Sequence, residues 1–254
     1  MQTIAIANPK AGCGKTVTAI NLGAALASQA RRVLLVDLDP QAVATRGLGC
    51  DPAKLAASTA DIFTNFRIPF SEILTKTNVE SLYLAPGNIL LAGAELSLAG
   101  TPGKEFILAE QLKSVAPQYD VCVIDCPPSL GLLTVNALVA GTDVIVPIDV
   151  RDYAERNVRQ LMQAVDTVTQ RFQPCSVKVS GLLLGFVERK GTSSAQVQQR
   201  IRETFSDLVL ETVIHRNLNL PKALKAGEPI LLWAPNSKSA AEYKALAEQI
   251  IKAE

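Results

Sequence analysis

Short runs of nearly continuous apolar residues alternate along this chain with longer stretches in which apolar residues recur every three or four positions. The runs fall at residues 3–8 (TIAIAN), 32–39 (RVLLVDLD), 81–86 (SLYLAP), 120–125 (DVCVID), 143–148 (DVIVPI), 177–187 (VKVSGLLLGFV) and 208–214 (LVLETVI). A strand with no polar face must be covered on both sides, which predicts a parallel sheet between two layers of helices. After the first run, Ile20, Leu22, Ala25 and Leu26 take helical spacing, and further helical stretches fall near 104–116, 131–139 and 154–171. The alternation predicts an α/β fold with a doubly wound, mostly parallel sheet and helices on both faces. Residues 47–73, with Pro52 and Pro69, are less regular and read as an elaboration of the same body. A single domain over residues 1–254 follows.

The last stretch, SKSAAEYKALAEQIIKAE, places Tyr243, Leu246, Ala247 and Ile250 on one helical face, with acids and lysines opposite. A helix lying on a membrane surface needs a basic polar face and bulky apolar residues, so this one is expected to pack on the core.

Composition narrows the classes. The chain has 48% apolar and 19% charged residues, which describes a globular protein with an ample core. A formal net charge of +1 gives no bulk attraction to nucleic acid, so any such surface must be local. The five cysteines are scattered, and Cys122 and Cys126 fall in and beside an apolar run. They read as small apolar residues in a reducing compartment. One histidine, His215, excludes histidine-based metal clusters. The first run begins at once, with no basic-then-apolar leader before it, and no apolar run reaches the ~18 residues of a membrane span. A cytoplasmic protein without integral membrane contact is expected.

The chemistry concentrates between the first run and the first helix, in NPKAGCGKTVTAINL. Gly12-Cys13-Gly14-Lys15-Thr16 is a phosphate-binding loop following a strand and opening a helix. Glycines let backbone N–H groups close around phosphate oxygens, Lys15 reaches the β- and γ-phosphates, and the Thr16 hydroxyl binds Mg²⁺. Asp37 and Asp39, two positions apart, lie on one side of a strand end. Asp125 closes another strand, at the Walker B position. Lys10 is a second lysine in the same loop, which a plain phosphate loop does not need.

Lys10, VDLDPQ, IDCPPSLGLLTVNAL and VIVPI together resemble the deviant-Walker P-loop ATPases, specifically the ParA/Soj branch. The likeness runs nearly end to end, including HRNLNLPKALKAGEPI and APNSKSAAEYKALAEQI. The resemblance implies a nucleotide-sandwich homodimer in which Lys10 reaches the partner's ATP. It implies that residues 10–17 (Lys10, Ala11, Gly12, Cys13, Gly14, Lys15, Thr16, Val17) and Arg216 bind ATP. Thr16 and Asp125 would hold Mg²⁺, Asp125 through water. Asp39 would orient the attacking water, with Asp37 in support and Lys10 and Lys15 supplying charge. Sequence-independent DNA binding is implied for Lys190, Arg216, Lys222, Lys225 and Lys238. Residues 186–238 carry eight Lys/Arg against five Asp/Glu, a modest patch that a dimer would double.

The implied function is positioning a plasmid, chromosome or protein organelle such as the carboxysome on the nucleoid. A centromere-binding or cargo-adaptor protein would stimulate hydrolysis. A MinD-like membrane ATPase is the alternative. An electron-transfer ATPase is disfavoured because Cys126 lacks a companion between Cys50 and Cys122, and a biosynthetic amide ligase because of Lys10 and DLDPQ. Several residues depart from the family pattern. Ala11 and Ala42 replace glycines, Val17 a threonine, Val43 an asparagine, His215 a proline and Asn219 a basic residue.

Overall fold

The computed structural model describes residues 1–64, 68–188 and 192–252. Eight strands form one sheet: β1 (Gln2–Ile6), β2 (Val33–Asp37), β3 (Thr75–Lys76), β4 (Leu82–Ala85), β5 (Val121–Asp125), β6 (Asp143–Asp149), β7 (Lys178–Val187) and β8 (Val209–His215). Their spatial order is β3-β4-β2-β5-β1-β6-β7-β8. All neighbours run parallel except β3, a two-residue strand antiparallel to β4.

The helices are α1 (Lys15–Ala27), α2 (Val43–Gly47), α3 (Thr59–Thr64), α4 (Leu91–Ser97), α5 (Ile107–Lys113), α6 (Leu132–Ala140), α7 (Glu155–Arg171), α8 (Thr192–Phe205), α9 (Asn219–Ala226), α10 (Ile230–Trp233) and α11 (Lys238–Lys252). Both layers form as the apolar pattern demands. Ile4, Ile6, Val33, Leu35, Val121 and Val123 face a core shared with α1, α9, α10 and α11. The alternate residues Ala5, Ala7, Leu34, Val36, Cys122 and Ile124 face the core under α3 to α8. Cys122 and Cys126 are buried there, all five cysteines are free, and burial pushes both buried thiols far up.

Three expectations change in detail. The helical stretch near 104–116 shortens to α5, with 3-10 turns at Lys104–Phe106 and Ala116–Gln118. Gly103 in a left-handed conformation (φ 74°) and Pro117 account for the breaks. Residues 47–73 contain a 3-10 turn at Pro52–Lys54, α3 and a second 3-10 turn at Phe70–Ile73. The edge strand β3 is too short to leave an alternation in the sequence.

The C-terminal helix packs as expected. Tyr243, Leu246 and Ala247 are at most 2% exposed, so the stripe that could have faced a lipid surface is already in the core. The same helix reaches the outer strand of the sheet. The Thr212 N–H donates to Gln249 Oε1 (3.2 Å) and the His215 N–H to Glu242 Oε2 (3.1 Å). Among the described residues no helix is long and apolar enough to cross a membrane.

Candidate nucleotide site

The carboxyl ends of β1, β2 and β5 meet at one edge, where the strand order reverses on either side of β1. Crevices at such a point are where open α/β sheets bind ligands. The loop after β1 turns on two left-handed glycines, Gly12 (φ 73°) and Gly14 (φ 94°), and Gly14 is the N-cap of α1. No side chain caps that helix, so its first backbone N–H groups are left for a phosphate.

Asn8 fixes the loop's entry by donating to Pro147 O (2.8 Å) and accepting from Lys10 N (2.9 Å). Lys15, 6% exposed, curls back and donates to Lys10 O at 2.8 Å. The Cys13 thiol shares that acceptor (3.2 Å). Thr16 and Val17 follow on the first turn of α1, both half-buried, while Ala11 and Gly12 are exposed at the loop's tip.

The two strand-end carboxylates stand in register, Asp37 against Asp125. Asp37 is fully buried and its oxygens are occupied. Oδ2 accepts from Thr45 N (2.8 Å) and Thr45 Oγ1 (2.7 Å), and Oδ1 from Asp39 N (3.1 Å). Gly87 lies so close that a Cβ there would sit 2.9 Å from Asp37 O. Asp37 therefore ties β2 to α2 and to the segment after β4.

Asp125 is the opposite case. Both its oxygens are buried and without a hydrogen-bond partner. Burial, then the charge of Asp37, push it well above the usual carboxylate range, while the Thr16 hydroxyl and Lys15 favour its charged form. Burial also raises Asp37 to about 6, against the pull of its hydrogen bonds. An orphaned carboxylate beside a phosphate loop and a threonine hydroxyl fits a divalent cation, which would supply the missing positive charge. Asp39, 8% exposed, sits at the same edge and accepts from Gln41 N (2.9 Å).

Lys10 does not point into solvent. Its ammonium donates to the main-chain oxygen of Asp152 and pairs with that residue's carboxylate, in the 3-10 turn Val150–Asp152 after β6. Sequence reasoning missed Asp152, since nothing in VRDY marks it as a lysine partner.

Beside the loop opens a cavity of about 250 Å³, lined mostly by apolar residues that include Val17, Phe186, Leu220 and Tyr243. Arg216 lines it too, and pairs at 3.7 Å with the half-exposed Glu188. Val17 and Arg216 thus line one cavity with Cys13 and Gly14 of the phosphate loop.

Besides Arg216, the basic residues expected at DNA separate into three groups. Lys222 and Lys225 are exposed, one turn apart on α9. Lys238 is engaged: its ammonium lies 3.3 Å from His215 Nε2 and 3.6 Å from Glu242, while His215 Nδ1 is 2.7 Å from Glu242. Lys190 lies outside the described residues.

Known proteins resemble this chain along most of its length. The family model of the AAA domain (AAA_31) matches residues 1–177. The sporulation initiation inhibitor protein Soj of Bacillus subtilis is 41% identical over 247 residues, 97% of each chain. The chromosome partitioning protein ParA of Myxococcus xanthus is 39% identical, covering 98% of this chain and 87% of that one. A crystal structure of cobyrinic acid a,c-diamide synthase from Mycobacterium smegmatis, with a bound ATP analogue and magnesium, superposes with a TM-score of 0.87. It is 37% identical and covers 99% of this chain and 95% of that one. The likeness runs along nearly the whole chain, and the protein belongs to the ParA/Soj family of P-loop ATPases.

Proposed function

We propose that this ATPase binds Mg-ATP, pairs face to face around two nucleotides, and uses hydrolysis to release itself from DNA while it segregates or positions a cargo. The observation that carries the reading is the convergence of Lys15, Thr16, Asp39 and the unpartnered Asp125 at one sheet edge, in a chain matched end to end by Soj.

In this reading the loop N–H groups and Lys15 hold the β- and γ-phosphates. Thr16, and Asp125 through water, hold Mg²⁺, which neutralises charge on the phosphates when bound. Asp39 orients the attacking water, and the Asp37 network keeps Asp39 in place. Lys10 must leave Asp152 to reach the partner's γ-phosphate, so part of its charge is withheld until a second subunit arrives. Phosphoryl transfer depends mainly on positioning and on such charge. Lys222 and Lys225 contact DNA phosphates, joined by Lys190, Arg216 and, through its ammonium's outer side, Lys238. The protein works in the cytoplasm on the nucleoid, with a centromere-binding protein or cargo adaptor as its stimulator.

Three variants test the reading together, by light scattering and phosphate release. Lys15→Ala is expected to lose ATP binding. Asp39→Ala is expected to keep it and accumulate as an ATP-bound dimer. Lys10→Ala is expected to bind ATP but to dimerise and hydrolyse poorly, with a rate loss of about 10²–10³. Wild-type turnover by a monomeric Lys10→Ala protein would refute the inter-subunit role, and the methyl of Ala11 at the subunit junction would be the first suspect. Two controls define rival activities: flotation with anionic liposomes for a MinD-like protein, and ATP-dependent amidation of cobyrinic acid for the activity named for the Mycobacterium smegmatis structure.

A further inference from the structure

Phe186 holds a backbone conformation that phenylalanine rarely adopts, with φ at +56° at the carboxyl end of β7. Such strain persists only where the surroundings impose it, and it gathers at functional sites. Its consequence here is the placement of the ring. An ideal Cβ built on Gly14 would meet Phe186 Cε2 at 3.3 Å and Cζ at 3.6 Å, so the ring rests on the phosphate loop itself. The Arg151 guanidinium carbon lies 4.6 Å from the ring centroid, and Arg151 is fixed by two hydrogen bonds to Asp149 (3.0 and 2.7 Å). Phe186 and Arg151 both line the cavity of about 250 Å³ beside the loop.

That cavity offers little side-chain hydrogen bonding to the edge of a base. Asn217 is committed to Ser239 Oγ (2.9 Å) and to Asn219 N (2.9 Å), and His215 to Glu242 and Lys238. Arg216 and Thr18 also line the cavity, but most of its wall is apolar, so the flat face of a base meets more of that wall than its edge does. The geometry points to Phe186 as the residue that selects a purine nucleotide, its ring serving as the platform on which the base stacks next to the phosphate loop. This inference rests on the nucleotide reading of the site and adds to it the residue that sets base preference.

The chemistry is that of sequence-tolerant base recognition elsewhere. Every base has a π-face, a larger one stacks better, and a guanidinium held at the ring edge or face strengthens the platform. Adenine and guanine nucleotides should therefore bind alike more nearly than either does with cytosine or uracil nucleotides.

The test compares Mg-ATP, Mg-GTP, Mg-CTP and inorganic tripolyphosphate by calorimetry on the full chain. Phe186→Gly removes the ring and tolerates the positive φ. Phe186→Leu keeps apolar bulk, and Phe186→Tyr keeps the ring. The expected result is a loss of about tenfold or more in ATP affinity for the Gly and Leu variants, with tripolyphosphate unchanged, the purine preference over CTP collapsed, and Tyr close to wild type. Equal losses for ATP and tripolyphosphate would overturn the proposal, since the ring would then only support the loop. Unchanged ATP affinity in the Gly variant would overturn it as well. Should the wild type bind neither ATP nor tripolyphosphate, the nucleotide site itself would fall, and this inference with it.

Discussion

Asp37 and Asp125 are neighbours across β2 and β5, both fully buried, and they differ in what surrounds them. Asp37 accepts three hydrogen bonds; Asp125 accepts none of normal geometry and has only the nearby Thr16 hydroxyl and Lys15 to favour its charge. A buried carboxylate without partners costs stability, so Asp125 is kept for something the folded chain alone does not contain. Asp125→Asn is expected to stabilise the metal-free protein by about 1–3 kcal/mol in urea denaturation while removing Mg²⁺-dependent hydrolysis.

The pH dependence has a definite sign. Asp37 rises to about 6 from an unfolded value near 3.8, and Asp125 rises also. Their contribution to stability is therefore present below about pH 4 and lost as pH rises through the folded values. The melting-temperature advantage of Asp125→Asn should thus be largest near pH 7.5 and shrink toward pH 5.

At this scale the sequence was informative where chemistry has a motif. Lys15, Thr16, Asp39 and Asp125 could be named from their positions at strand ends and in a glycine loop. The hydrogen bonds of Asp37, the hold of Asp152 on Lys10 and the strained Phe186 could not, because each depends on residues brought together from distant segments. A positive φ at a phenylalanine or at Ala42 (φ 49°) leaves no trace in a one-letter string.

Among elements, close approaches explain positions that periodicity leaves blank. The end of α9 meets the loop after α2 through Gly227 and Gly49. Gly227 is left-handed (φ 75°), and a Cβ there would lie 2.9 Å from Gly49 Cα. Neither the backbone angle nor the contact can yield to a side chain, so Gly227→Ala should cost about 2–4 kcal/mol in urea titrations.

The outer face of α9 carries Lys222 and Lys225 one turn apart and exposed. If these are phosphate contacts, Lys222→Glu with Lys225→Glu should weaken ATP-dependent DNA binding for every duplex alike. It should also flatten the dependence of log K on log salt by roughly two contacts per subunit, with ATP affinity unchanged. Filter binding across a salt series checks both. The long strands and α1, α6, α7 and α11 were readable because apolar periodicity survives over many residues. Short pieces such as α2, α4, α10 and β3 were not, since tertiary contacts decide them.

On the scale of the whole molecule, the sheet has two edges and treats them differently. One ends in β3, two residues long and antiparallel, which leaves little backbone for another chain to pair with. The other ends in β8, seven residues long. There α11 supplies Gln249 to Thr212 N–H and Glu242 to His215 N–H. Side chains thus occupy donors that would otherwise template a strand from a neighbouring copy. The consequence concerns solubility at high local concentration, the condition of any protein gathered on a crowded scaffold. Replacing Glu242 and Gln249 together by alanine keeps the apolar face of α11 intact but uncovers those donors. The double variant should stay folded in dilute solution and yet form concentration-dependent aggregates that bind thioflavin, where the parent chain remains dispersed. Held this way, the last helix both completes the core and covers two backbone donors of β8.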